Sequence, residues 1–322
     1  MPSLLPDNRI CSLFGVRHPI VQGGMSWVSR HPLAAAVSEA GALGVIGSGG
    51  MDADELRDEL RALRALTPAP FGVNVTLVNV RPDGVDLVEE LMRVVIDERV
   101  PIAIVGAGSP SRYTDRLHEA GIVVVHVVPS VALAAKAAAA GVDAVVAESV
   151  EAGGHVRAEG LSTVSLVPQV VDAVEVPVIA AGGIADGRGV AAAFALGAEA
   201  VQIGTRFIAA AECNAHTAYK AAVVDADPEG TALYGRTPRL SRGLRTPVIE
   251  RLIEMDREGR SDEELRAHRG TGRARLGCID GDLGEGILPA GAAAGLVHEV
   301  APAAAIVREL VDDAARVLES LR

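Results

Sequence analysis

Residues 18–224 repeat one pattern eight times, in which a short apolar run is followed by a longer amphipathic segment. The apolar runs are rich in Val, Ile and Ala, which is typical of strands buried on both faces of a parallel sheet. The predicted strands are residues 19–21, 43–46, 71–76, 102–105, 122–126, 144–148, 176–180 and 200–203. The predicted helices that follow them are residues 31–40, 52–66, 83–98, 111–120, 130–140, 163–173, 187–196 and 212–224.

Eight consecutive strand–helix units predict a (β/α)8 TIM barrel, a fold of the α/β class. A doubly wound sheet is the competing architecture, but it rarely needs eight uninterrupted units. Several predicted helices end at a glycine just before the next strand, as at Gly41, Gly121 and Gly141. Such endings are expected of the short turns at the N-terminal end of a barrel.

The sequence changes character after residue 224. Residues 225–285 are rich in Arg, Asp, Glu and Gly, and residues 301–321 again form an amphipathic pattern. We therefore divide the chain into a (β/α)8 barrel at 1–224, a mainly helical appendage near the barrel mouth at 225–300, and a C-terminal helix at 301–322 that packs back on the barrel.

Composition excludes several classes of function. Thirty Lys and Arg residues against 42 Asp and Glu give a net charge of -12, which disfavours nucleic acid as a partner. The three cysteines form no CxxC pair, so no metal site is predicted. With no export signal and no apolar run long enough to span a bilayer, we expect a cytoplasmic protein with no membrane partner.

The candidate phosphate-binding loops follow the seventh and eighth predicted strands. Gly182-Gly183 and Gly204-Thr205 occupy these positions, where barrels commonly bind phosphate through backbone amides. The alternative is that these glycines only form tight turns. The chain contains neither a GxGxxG motif nor a P-loop, so a dinucleotide-binding fold is not supported.

Other candidates follow the first, third and sixth predicted strands. Gly23-Gly24-Met25 either supports a flat ring against the backbone or forms a plain turn. Asn74 either hydrogen-bonds the edge of a heterocycle or makes an internal backbone bond. Glu148 either accepts hydrogen bonds from ligand hydroxyls or pairs with a local amide or arginine.

His155 follows Gly153-Gly154 in a loop on the same predicted face. An imidazole that projects over the barrel mouth could donate or abstract a proton near neutral pH. The alternative is a structural or surface histidine.

Four motifs resemble one flavin-dependent family. They are residues 19–25 (PIVQGGM), 71–74 (FGVN), 151–155 (EAGGH) and 178–187 (VIAAGGIADG). In this order they resemble the family that contains nitronate monooxygenases (formerly 2-nitropropane dioxygenases), FabK-type enoyl-acyl-carrier-protein reductases and an NADH:quinone reductase. The resemblance covers about residues 10–320.

The resemblance implies a TIM barrel that binds FMN, with NAD(P)H as co-substrate. It places the backbone of Gly23, Gly24 and Met25 beside the isoalloxazine ring and His155 at the substrate. The remaining cofactor-binding residues that it implies are Asn74, Glu148, Gly153, Gly154, Ala181, Gly182, Gly183, Gly204 and Thr205.

Within this family, three features are most similar to the enoyl reductases. They are Trp27 after the Gly-Gly-Met motif, the seven-residue spacing from Glu148 to His155, and the loop at 106–110. We therefore predict NAD(P)H-dependent reduction of an enoyl-thioester through FMN. Nitronate monooxygenase and NAD(P)H:quinone reductase activities are the alternatives, and a non-catalytic flavin-binding protein is the alternative of a different class.

The expected partners are a small-molecule or acyl-thioester substrate, with acyl-carrier protein and a second copy of the chain (a homodimer) as further candidates. Arginines recur every third residue at Arg236, Arg239, Arg242 and Arg245. They either form a basic patch for an acidic carrier protein or belong to an ordinary solvated surface.

Overall fold

The computed structural model describes residues 8–77, 86–157, 160–237 and 240–321. Eleven strands lie in these ranges: β1 Ile20–Gln22, β2 Gly44–Gly47, β3 Phe71–Thr76, β4 Ile102–Gly106, β5 Val123–Val128, β6 Ala144–Glu148, β7 Gly154–His155, β8 Val178–Ala181, β9 Ala200–Ile203, β10 Thr231–Tyr234 and β11 Ser241–Leu244. The α-helices in the same ranges are α1 Arg9–Phe14, α2 His31–Glu39, α3 Ala53–Leu66, α4 Val88–Asp97, α5 Thr114–Glu119, α6 Val131–Ala139, α7 Thr163–Ala173, α8 Gly187–Ala195, α9 Thr205–Ile208, α10 Thr217–Val224, α11 Pro247–Arg257, α12 Asp262–Arg269, α13 Arg273–Cys278 and α14 Ala303–Ser320. Short 3₁₀ helices span Pro110–Arg112 and Ala292–Leu296.

Eight parallel strands form the barrel that the sequence predicts. Their order is β1-β9-β8-β6-β5-β4-β3-β2, so the strands follow the chain order around the barrel, the last strand β9 pairs with the first, and the small β7 lies outside this sheet. A parallel bridge from Val21 of β1 to Leu43, just before β2, closes the ring. The predicted fold class is confirmed.

The barrel interior is apolar at its N-terminal end. Alternate strand residues form one buried cluster, and Ile10 and Phe14 of α1 belong to the same cluster. Asn8, which precedes α1, donates from its side chain to the carbonyl of Glu199 at 2.7 Å, just before β9. Helix α1 therefore plugs the N-terminal end, and only the C-terminal end of the barrel is left for a ligand.

Two helix predictions need correction. The segment predicted as one helix at 212–224 contains α10 only from Thr217, because the His216 ring accepts a hydrogen bond from the Ala218 amide at 3.1 Å and starts the helix there. The short helix α9 directly follows β9 instead. The helix predicted at 83–98 begins at Val88, and residues 83–85 lie outside the described residues.

The appendage contains a β-hairpin as well as helices. Strands β10 and β11 pair antiparallel, and β11 also pairs with β7, which belongs to the loop after β6. Helices α11 and α12 cover this three-stranded sheet and share a small core with it. The appendage was predicted to be mainly helical, and no strand was predicted within it, because Arg242 and Gly243 interrupt the apolar alternation that would indicate one.

Helix α14 packs along α8 and α2 on the outside of the barrel. A bridge between Ala210 and Ala301 joins its approach to the segment after α9. None of the helices within the described ranges is long and apolar enough to cross a membrane.

Candidate active site

A polar layer lies at the C-terminal end of the barrel interior. Alternate residues of a strand share a face, and Ala144, Val146 and Ala200 belong to the interior cluster. Glu148 of β6 and Gln202 of β9 continue these rows, so both face inward above the apolar cluster. Ala181 of β8 lies in register between them, paired with both, and its methyl group leaves space at this level.

Asn74 contributes the third side chain of this layer. Its amide nitrogen donates to the carbonyl oxygen of Ile104 at 3.2 Å, which is the internal bond considered from the sequence. No donor from the described residues reaches its side-chain oxygen. Gly24 packs directly on Asn74, where a Cβ at position 24 would collide with Cβ of Asn74. Gly24 and Asn74 are therefore brought together, and the side-chain oxygen of Asn74 keeps its capacity for a ligand.

The carboxylate of Glu148 has no partner among the residues that the structure describes. Glu148 is only partly exposed, and no described residue hydrogen-bonds or forms an ion pair with its side chain. Because burial disfavours the charged form, the pKa of its carboxyl is raised to about 7. The pairing with a local amide or arginine that the sequence left open does not occur here.

The sequence analysis missed Gln202. Its Oε1 is buried and accepts no hydrogen bond from the described residues. Gly23 lies over it, since a Cβ at position 23 would be 3.4 Å from Cγ of Gln202. The signal was available, because Gln202 is a polar residue within an apolar strand end, as Asn74 is.

His126 of β5 is buried, but its side chain lies outside the barrel interior. It lies between Val124 and Val128, which face the outer layer of helices, rather than the barrel interior. Burial lowers the pKa of its imidazole to about 4, and the ring hydrogen-bonds the backbone of Gly108. It is therefore neutral at physiological pH.

The backbone conformation after β8 requires glycine at two consecutive positions. Gly182 and Gly183 have φ values of 99° and 71°, which side-chain-bearing residues rarely adopt. A Cβ at Gly183 would also lie 3.0 Å from a carboxylate oxygen of Glu151. At the start of α8, the Asp186 side chain already accepts the amides of Arg188 and Gly189. Two amides of this helix terminus are therefore already bonded within the chain.

The appendage covers the loops after β6 and β9. The Thr205 hydroxyl accepts the Gly291 amide at 2.9 Å. A Cβ at Gly153 would lie 2.7 Å from the carbonyl carbon of Ala290. Gly204 lies near Met25, 3.8 Å from its Sδ to a Cβ placed on the glycine. Gly153 is therefore required because the backbone of the appendage comes too close for a Cβ at this position. Gly204 lies beside the loop after β1.

His155 lies in the small sheet. Its strand β7 pairs with β11, where His155 is opposite Ser241. The Val156 amide donates to Leu240 at 3.0 Å, and Arg242 donates to the carbonyl of Val150 at 3.2 Å. Gly154, at φ 84°, has open space where a side chain would project. His155 itself is exposed, and the appendage rather than the barrel fixes its position.

The loop after β2 supports the loop after β1. Gly47, Gly49 and Gly50 contact Met25, Ser26 and Trp27 in turn, and a Cβ on any of these glycines would collide with the residue opposite. Trp27 has φ 72°, a strained left-handed conformation for a bulky residue. This glycine platform holds Met25 and Trp27 at the barrel mouth.

The described members of the regularly spaced arginines, Arg236, Arg242 and Arg245, each have their own partners. Arg236 pairs with Asp256 and Asp262. Arg242 donates to Val150 and Thr231, and Arg245 pairs with Glu250, with Arg239 outside the described residues. Each described member is therefore engaged by another residue, and Arg242 joins the appendage to the loop after β6. Within the described ranges, no group of three His, Cys, Asp or Glu residues is arranged to hold a metal ion.

Comparison with known proteins identifies the family. Residues 7–313 match the sequence profile described as nitronate monooxygenase. The chain belongs to the nitronate monooxygenase family. Among solved structures, FabK from Thermotoga maritima is 43% identical and superimposes with a TM-score of 0.91 over 99% of both chains. A nitroalkane oxidase from Streptomyces ansochromogenes is 31% identical, with a TM-score of 0.84 over 97% of this chain and 99% of that one.

A curated relative from Mycobacterium tuberculosis is 38% identical over 247 residues, which is 76% of this chain and 67% of the relative. It is the (3aS,4S,5R,7aS)-5-hydroxy-7a-methyl-1-oxo-octahydro-1H-indene-4-carboxyl-CoA dehydrogenase. These members of the nitronate monooxygenase family are oxidoreductases, and so is this chain. The predicted family is confirmed.

The contact between Gly50 and Trp27 generates a prediction. We expect Gly50→Ala to displace the indole and red-shift the emission of Trp27, the single tryptophan of the chain. The matched control is Gly141→Ala, because Gly141 has φ 81° but no atom within 4 Å of an added Cβ. Both variants should lose about 1 kcal/mol through backbone strain. An unchanged emission spectrum in Gly50→Ala would contradict the platform.

Proposed function

We propose that this protein binds FMN at the C-terminal end of its barrel and uses it to reduce an enoyl-thioester with NAD(P)H. The observation that carries the cofactor proposal is the polar layer of Asn74, Glu148 and Gln202. Burying polar groups without partners is costly, and here three side chains at one level keep unused acceptor oxygens. A ligand rich in hydroxyl and N–H donors fits this layer.

The remaining candidates fit the same ligand. The backbone of Gly23, Gly24 and Met25 would lie against the flat ring. Asn74 and Gln202 would hydrogen-bond polar edges of the cofactor, and Glu148 would accept from its ribityl hydroxyls. The loop amides at Gly182-Gly183 and Gly204-Thr205 would hold its phosphate. FMN, when bound, supplies a group that accepts a hydride equivalent from one substrate and passes it to another.

Glu148 allows the cofactor proposal to be tested without turnover. The raised pKa means that the folded, cofactor-free protein binds this proton more tightly than the unfolded chain. The resulting stabilisation is present below pH 4.5 and is lost as pH rises to about 7. We expect Glu148→Gln to gain thermal stability relative to the parent by a few °C between pH 5 and 8.

Cofactor hydroxyls that donate to the carboxylate would favour its charged form. The pH-dependent difference between Glu148→Gln and the parent should therefore shrink when both are saturated with FMN. Differential scanning fluorimetry across pH, with and without FMN, makes the comparison. A difference that is independent of pH in the cofactor-free proteins would contradict this assignment.

His155 is proposed to act on the substrate rather than on the cofactor. Its imidazole is exposed on a two-residue strand that hydrogen bonds hold in place. It could donate a hydrogen bond or a proton to a carbonyl oxygen as negative charge develops there. The cofactor-binding candidates of the same loop, Gly153 and Gly154, have no side chain and would contact a ligand only through their backbone, so loss of the imidazole should leave cofactor binding intact.

We therefore expect His155→Ala to retain its flavin and to lose roughly 10²–10⁴-fold in turnover. His118→Ala is the control, since His118 is an exposed histidine that pairs with Asp143 at the opposite end of the barrel. Flavin content is read from absorbance and turnover from steady-state assays. Full activity in His155→Ala, or loss of flavin with it, would reject the role.

The choice of reaction rests on the full-length similarity to FabK, at 43% identity over 99% of both chains. Enoyl-thioester reduction requires a hydride from NAD(P)H to reach the β-carbon and a proton to reach the α-carbon, with the thioester carbonyl polarised meanwhile. The similarity to the nitroalkane oxidase supports the second candidate, in which a nitronate is oxidised with O2 and no nicotinamide takes part.

Anaerobic half-reactions distinguish the candidates. We expect NADH or NADPH to bleach the flavin rapidly and an enoyl-thioester to restore its absorbance. Restoration by a quinone but by no enoyl-thioester would favour a quinone reductase. Bleaching by an alkyl nitronate alone would overturn the proposal in favour of nitronate oxidation. Bound flavin that responds to none of them would indicate a non-catalytic binding protein.

A further inference from the structure

A row of three side chains crosses the small sheet on one face. Tyr234 of β10 lies opposite Ser241 of β11, and Ser241 lies opposite His155 of β7. Directly opposed residues of antiparallel strands project to the same face, with Cα atoms about 4.5–5.5 Å apart. Tyr234 and Ser241 are buried, whereas His155 is exposed. The imidazole therefore lies at the open end of an otherwise buried row.

Arg269, the last residue of α12, is held on this same face. Its Nη2 donates to Oγ of Ser241 at 3.1 Å, and its guanidinium lies 5.2 Å from the centroid of the Tyr234 ring. Ser241 is 1% exposed and also hydrogen-bonds Tyr234. These contacts fix a permanently charged guanidinium next to the strand position of His155.

A cavity of about 360 Å³ opens beside Arg269, a volume within the range of small-molecule sites. Its lining includes Arg236, Thr237, Asp262, Leu265, Arg266 and Arg269. Asp256 and Asp262 neutralise Arg236. Arg266 is exposed, and its guanidinium forms no ion pair or hydrogen bond with any residue that the structure describes. Because Arg266 and Arg269 are three positions apart, they lie on the same face of α12.

We propose that Arg266 and Arg269 form a phosphate-binding subsite beside His155. Two guanidinium groups are suited to phosphate oxygens, which they can bind through paired N–H donors. In a chain with a net charge of -12, this cavity offers an anion a local attraction that the surface as a whole does not. The ligand class is the phosphorylated end of a co-substrate whose reactive end reaches the barrel mouth.

This inference rests on the proposed function, because it assigns one part of the co-substrate of that same site. Two sources share the chemistry: the phosphates of a coenzyme A-type thioester carrier and the 2′-phosphate of NADPH. The subsite is built from the appendage, so it can bind phosphate while the polar layer of the barrel holds the cofactor.

The kinetic test uses Arg266→Gln and Arg269→Gln in the flavin-loaded enzyme, with Arg260→Gln as the control. Arg260 is an exposed arginine of the same appendage that pairs with Glu258 and Glu264. KM is measured for an enoyl-CoA, for the same acyl chain on N-acetylcysteamine, and for NADPH and NADH. Flavin content and melting temperature are measured for each variant, and Arg266, being exposed, is not expected to affect folding.

If the carrier supplies the phosphate, KM for the enoyl-CoA should rise about tenfold or more in Arg266→Gln. KM for the N-acetylcysteamine ester should then stay unchanged. If NADPH supplies it, KM should rise for NADPH and not for NADH. Unchanged values for every substrate, or an equal rise for phosphorylated and unphosphorylated ones, would overturn the subsite.

A binding measurement separates this inference from the proposed reaction. Adenosine 3′,5′-bisphosphate is titrated calorimetrically into the parent protein, Arg266→Gln and Arg260→Gln. Binding that weakens at least tenfold only in Arg266→Gln supports the subsite even if no enoyl-thioester is reduced. Equal binding to all three proteins, or absence of binding to the parent together with unchanged KM values for NADPH in the variants, would refute it even if the enoyl reductase reaction is found.

Discussion

Closure of the parallel sheet determines where this protein can bind a ligand. The bridge between Val21 and Leu43 leaves the barrel without a free edge, so every strand residue faces either the interior or the helices. Helix α1 fills the N-terminal end with Ile10 and Phe14. The polar layer of Asn74, Glu148 and Gln202 therefore lies at the C-terminal end of the barrel, which is the end that remains open.

The polar layer lowers the stability of the folded chain when no ligand is bound. A carboxylate with a pKa of about 7 and a buried amide oxygen without a donor both lower stability until a partner arrives. Proteins depart from full satisfaction of buried polar groups chiefly at functional sites. The apolar layers below supply the stability that offsets these unsatisfied polar groups. The acceptor oxygens of the layer define the hydrogen-bond donors that a cofactor must present.

Glycine serves two different purposes around the barrel mouth. Gly182 and Gly183 are needed for their backbone conformation after β8. Gly24, Gly47 and Gly153 are needed because another part of the chain comes too close for a Cβ. From the sequence, these glycines look alike, and the crowding that separates the two purposes depends on residues distant along the chain. The glycine-rich loop after β2 illustrates this point, since its glycines leave room for Met25, Ser26 and Trp27.

The sequence by itself determined the barrel, because strands such as β3 and β6 are apolar runs of the length and spacing that only a buried parallel sheet accommodates. The sequence also indicated Asn74 and Glu148 as candidate site residues, since each is a polar residue near the end of an otherwise apolar strand. Gln202 could have been found in the same way. The tertiary structure alone decided how the appendage folds, because β11 pairs with a two-residue strand almost ninety residues earlier, and so short a pairing leaves no periodic signal. For the same reason only the fold brings Arg269 to the face of His155, since both positions depend on long-range hydrogen bonds rather than on local sequence.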